Sequence, residues 1–219
     1  MRSRKLVFVC LVALTTIGTV FPVCAKDQPS PSRETVLRDL DEIGRVASIM
    51  LDGDLCRRIV TERALKSLFT RDARDPWAAS DNFDVNHEAY IAVKKSLIRL
   101  SRLVSYPCDV NLWTPIEGAP DKVMVLIRNA NEWSQFWTWG QLTQDLPAEM
   151  SRVLKTGKRE AVTRRPGMIS VLAPVYDSLG DIAALVEVVA YEPAFRPPQV
   201  HAKVLGGAQM ANNLTGELE

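Results

Sequence analysis

The sequence predicts an α+β domain in which long N-terminal helices pack on a five-stranded antiparallel sheet. Two observations carry this. Apolar residues recur at helical spacing through the first half of the chain, and at strand-like spacing or in short apolar runs through most of the second. Two of those runs, 168–176 and 182–191, are joined by the turn Asp177-Ser178-Leu179-Gly180, so neighbours pair as hairpins. The 219 residues, 47% hydrophobic and 24% charged, suit one soluble globular domain with extensions. They exclude a polytopic membrane protein, a collagen or a disulfide-rich toxin as a description of the whole chain.

Residues 1–25 have the layout of a secretory signal. Arg2, Arg4 and Lys5 precede an uncharged apolar stretch, and Val23 and Ala25 stand at −3 and −1 of a cleavage site after Ala25. A periplasmic or secreted location is therefore expected. Cleavage would leave 24 basic against 26 acidic residues. That balance gives no field for nucleic acid or anionic lipid. Residues 26–33 read as a polar, Pro-containing leader.

The first helix is expected over 34–51. Val36, Leu40, Ile43, Ala47 and Met50 form its stripe, Ser32 its N-cap, and Asp52-Gly53 its end. A second helix is expected over 54–70, a loop over 71–83, and a third helix over 86–104 with Tyr90, Val93, Leu97, Leu100 and Val104 on one face. Strands are expected at 109–115 and 122–128. Residues 129–141 return to helical spacing through Trp133, Phe136 and Trp137, and a further helix is expected over 147–154. Residues 158–164 read as an edge strand blunted by charge. The tail from Pro193 shows little periodicity and reads as mobile.

This order, and the residues that fill it, resemble extracytoplasmic PAS-like sensor domains of the Cache type (single Cache, freestanding) over 34–192. The resemblance is carried by Thr156-Gly157-Lys158 and by Pro174-Val175-Tyr176-Asp177 with Gly180, which lead into the last strand. The strand Asn111-Leu112-Trp113-Thr114-Pro115 and the long first helix also fit. It implies a PAS-like sheet and a non-enzymatic, ligand-binding role without a cofactor. The ligand would be an amino acid, organic acid or amine, held between sheet and crossover. It further implies a membrane sensor protein as partner, and a homodimer through the N-terminal helix.

Several residues are candidate ligand contacts, each with a plainer reading. Trp133, Trp137 and Trp139 can wall a pocket or pack the core. Trp113 can line that pocket or cover the sheet edge. Glu187 stands in an apolar strand, so it must meet a cation, a donor, water or a sheet margin. It is a contact for an amine, an internal partner for a group such as Arg128, or an outward-facing surface residue. It is also the one obvious general base if the chain is instead an exported enzyme on a cone-shaped α+β fold. Arg128 can fork a carboxylate or stay solvated. Tyr176 can point either way, and Asp177 can simply bond its own turn. A third reading is an interaction module whose hollow is filled by side chains.

Cys56 and Cys108 form an even pair, expected as a disulfide in an oxidising compartment or else as two buried thiols. The basic stretch Lys155, Lys158, Arg159, Arg164, Arg165 can meet an acidic partner or lie solvated. His87-Glu88 opens like a zinc-helix motif, but Ile91 stands where the second His is needed, so no metal site is expected.

Overall fold

The computed structural model describes residues 31–70, 84–138, 141–192 and Phe195. The expected signal, most of the leader and nearly all of the tail lie outside these. So do the expected 71–83 loop and Trp139.

Helix α1 spans Arg33–Met50 and starts where Ser32 accepts the Thr35 N–H at 3.1 Å. This is the expected cap, satisfying one of the amides a helix start leaves open. Val36, Leu40, Ile43 and Ala47 are buried against strands β5 (Met168–Tyr176) and β6 (Ile182–Tyr191). The stripe that could have served a dimer is therefore used on the chain's own sheet.

The single helix expected over 54–70 is two helices, α2 (Gly53–Arg57) and α3 (Glu62–Thr70). Thr61 explains the break. Its Oγ1 accepts the Ala64 N–H at 3.1 Å and so caps α3, while Val60 bridges to Val85. Helix α4 (His87–Ser101) starts at Asn86, whose side chain accepts the Ala89 N–H at 3.1 Å.

The sheet has six strands rather than five, in the order β3-β2-β1-β6-β5-β4 and antiparallel throughout. Besides β5 and β6 it holds β1 (Asp109–Ile116), β2 (Ala119–Ile127), β3 (Thr143–Asp145) and β4 (Glu160–Val162). The extra strand is β3, three polar residues too short to show any period. Of the helix expected over 129–141, the described residues 129–138 form none. Residues 129–138 cross the sheet as irregular chain, and helix α5 (Ala148–Thr156) follows. It ends at Gly157, whose φ of 66° favours glycine.

Two cores result. α1, α2 and α4 cover one face through Leu40, Ile43, Leu97, Val186 and their neighbours. On the other face Trp113, Val125, Leu172 and Leu185 meet Phe136, Trp137, Met150 and Val153. The expected disulfide is absent. Cys56 and Cys108 are free thiols, both buried in the helix-side core, where they pack as small apolar groups. Among the described residues no helix is long and apolar enough to cross a membrane.

Candidate functional site

A sheet face that packs on a core should alternate apolar side chains. Here three acidic or amide residues interrupt that pattern. Asp109, Asn111 and Trp113 share one face of β1, and Asn111 pairs directly with Glu187 on β6. All are buried, Glu187 completely. The reason is the irregular chain above them, whose backbone groups have no helix to satisfy them.

Asp109 accepts the Trp133 N–H at 2.9 Å and the Asn131 side-chain amide at 2.9 Å. Asn111 accepts the Asn129 N–H at 3.1 Å and donates to the Trp133 carbonyl at 2.7 Å. Glu187 accepts the Gln135 N–H on Oε1 at 2.6 Å. Its Oε2 takes the Ser134 hydroxyl at 2.6 Å, the Trp113 indole N–H at 3.0 Å and the Asn111 amide at 3.4 Å. Ser134 Oγ in turn accepts the Phe136 and Trp137 N–H groups at 3.1 and 3.0 Å. The loop is thus fastened to the sheet by side chains in place of helical bonds. Glu132 stands in the left-handed region at φ 56° between two of these attachments.

Burial pushes the Glu187 carboxyl above its ordinary value and outweighs the lowering by Ser134, Gln135, Trp113 and Asn111. Asp109 shifts the same way, again by burial, against hydrogen bonds from Trp133 and Asn131.

Beside this fastening lies an open cleft of about 850 Å³. Phe136 and Gln135 form its inner wall, Gln144 and Lys122 line it from β3 and β2, and Arg164 and Arg165 close it after β4. Gln135 fixes the two arginines. Its Oε1 accepts the Arg164 and Arg165 N–H groups at 2.9 and 2.7 Å, while its Nε2 donates to the Met168 carbonyl at 2.8 Å. Arg165 also donates to the Trp137 carbonyl at 2.7 Å, and Arg164 lies 5.3 Å from the Phe136 ring centroid.

The described ligand contacts expected from the sequence fall into two groups, and none lines the cleft, whereas Arg164 and Arg165 of the basic stretch do. Trp113, Trp133, Trp137, Arg128 and Glu187 gather around the fastened loop. Trp113 and Trp137 are core, the latter under the Arg128 guanidinium at 4.2 Å. Arg128 also pairs with Glu132 at 3.2 Å, not with Glu187. Trp133 stacks edge-on to Tyr191 at 4.9 Å. Tyr176 and Asp177 lie at the β5–β6 turn. Tyr176 donates to the Gly157 carbonyl at 3.1 Å. Asp177 accepts the Leu179 and Asp181 N–H groups and pairs with Arg57 at 2.9 Å, which is the plain turn role. Asp109, Asn111, Ser134 and Gln135 were not legible as site residues. The one signal was a strand with polar residues at alternate positions.

No protein-family model matches the sequence, and no curated protein matches it. Among solved structures, one described as "Structure of the GAF domain" aligns with a TM-score of 0.37 and 6% identity, over 77% of this chain and 90% of that chain.

Proposed function

We propose that the chain is an exported, non-enzymatic, small-molecule-binding domain of the Cache type, and that its ligand sits in the cleft walled by Phe136, Gln135 and Arg164. The observation that carries the reading is the cleft itself, about 850 Å³ with an aromatic wall and convergent polar groups. Ligand occupancy would alter the Gln135 segment, which Glu187 ties to the sheet, and so reach a membrane sensor protein as partner. The N-terminal layout of residues 1–25 supports export.

A thermal-shift screen of amino acids, organic acids, amines and neutral amides tests this. A ligand that binds only the folded protein raises Tm by mass action. A screen without a hit on folded protein sinks the reading.

A second reading, the filled-core interaction module, is favoured by one observation. The hollow between sheet and crossover is occupied by Ser134–Trp137 side chains, and both Glu187 oxygens are taken. Those same contacts weigh against Glu187 as a general base, because it reaches neither solvent nor cleft.

A further inference from the structure

Resting on the binding reading above, we propose that the cleft selects small molecules bearing an oxyanion, a carboxylate or phosphate, held by Arg164. The basic stretch singled out in the sequence supplies this residue. Arg164 is half exposed, and its side chain has only a loose pairing with Glu149 at 3.9 Å, beyond hydrogen-bond distance. Its main chain is held at the cleft, because its backbone N–H is bonded to Gln135. The guanidinium lies over the Phe136 ring, which leaves its N–H edges for a planar acceptor.

Charge points the same way. Lys122 and Asp145 neutralise each other as an ion pair, which leaves Arg164 and Arg165 against the one carboxylate of Glu149. Helix α5 also begins at this wall, after Pro147, with no side chain capping its first amides. An amine would meet two guanidiniums, which disfavours cations.

The test is titration calorimetry of the purified protein with succinate, its neutral isostere succinamide, inorganic phosphate and putrescine, repeated on Arg164→Gln. Succinate or phosphate should bind, succinamide and putrescine should not, and added salt should weaken the binding. Succinate alone or phosphate alone would name the source of the oxyanion. Arg164→Gln should weaken binding roughly tenfold or more with the ligand-free Tm unchanged, since its backbone contact to Gln135 remains. Arg164→Lys, which keeps the charge without the planar fork, should retain part of the binding. Equal binding of succinamide, binding of putrescine, or unchanged affinity in Arg164→Gln overturns the oxyanion inference and leaves the binding function standing. Silence from these probes, together with a silent broad screen, overturns both.

Discussion

At the scale of single residues, Glu187 decides most. Its two oxygens answer four donors in a fully buried place. Glu187→Leu strands the Ser134 hydroxyl, the Trp113 indole and the Gln135 amide together. Unfolding in urea should show a loss of about 3 kcal/mol or more, since each stranded group costs about 1–3 kcal/mol. Glu187→Gln keeps one acceptor and should lose less. The carboxyl also makes stability depend on pH. Its native pKa lies above the ordinary 4.5. Between that value and the native pKa the folded chain holds a proton that the unfolded chain has released. This contribution is complete below about 4.5 and is lost as pH rises through the native pKa. Urea midpoints taken upward from pH 4.5 should fall more steeply for the wild type than for Glu187→Gln. Parallel curves would show that Glu187 is not the source.

Elements show how much the sequence reveals. α1 and α4 were legible because burial on one face leaves a helical period, and β5 and β6 because burial on both faces leaves short apolar runs. The crossover was misread as helix for a physical reason. Trp133, Phe136 and Trp137 sit three and four apart, which is helical spacing. Yet Ser134 Oγ takes the Phe136 and Trp137 amides locally, and such bonds compete with a helix. The remaining partners, Asp109, Asn111 and Glu187, are distant in sequence and meet the loop only in the fold. The cleft was illegible for the same reason, since β2, β3, the crossover and the segment after β4 each contribute part of it. The joint between α2 and the β5–β6 turn is equally non-local. A Cβ on Gly53 would lie 2.5 Å from the Tyr176 carbonyl oxygen. Gly53→Ala must push backbone apart, and should cost about 1–3 kcal/mol by thermal or urea unfolding. A variant as stable as the wild type would show that α2 can shift without loss.

For the whole molecule, the cysteines report on both packing and processing. Burial pushes the thiols of Cys56 and Cys108 up to about 12. Both should resist alkylation in the native protein, because the thiolate is the reactive form. In denaturant without reductant, a chain cleaved after Ala25 should titrate as two thiols, and an uncleaved chain as four, counting Cys10 and Cys24. Zero thiols with a mature mass would show that the pair oxidises after export, against the free state of this structure.

The fastening of the crossover also constrains how the chain can change over generations. Asp109, Asn111 and Glu187 satisfy different groups of the same loop, so all three lose their reason for being polar only when the loop itself takes another path. Replacing all three with apolar residues, along with a crossover that forms a true helix, describes a coherent alternative protein. A single replacement strands the loop groups that residue served. Lineages should therefore keep the three residues and the Ser134-Gln135 pair as a block, or exchange them as a block. In an alignment of relatives these positions would covary strongly, while the arginines lining the cleft would be free to drift with whatever the cleft is asked to hold.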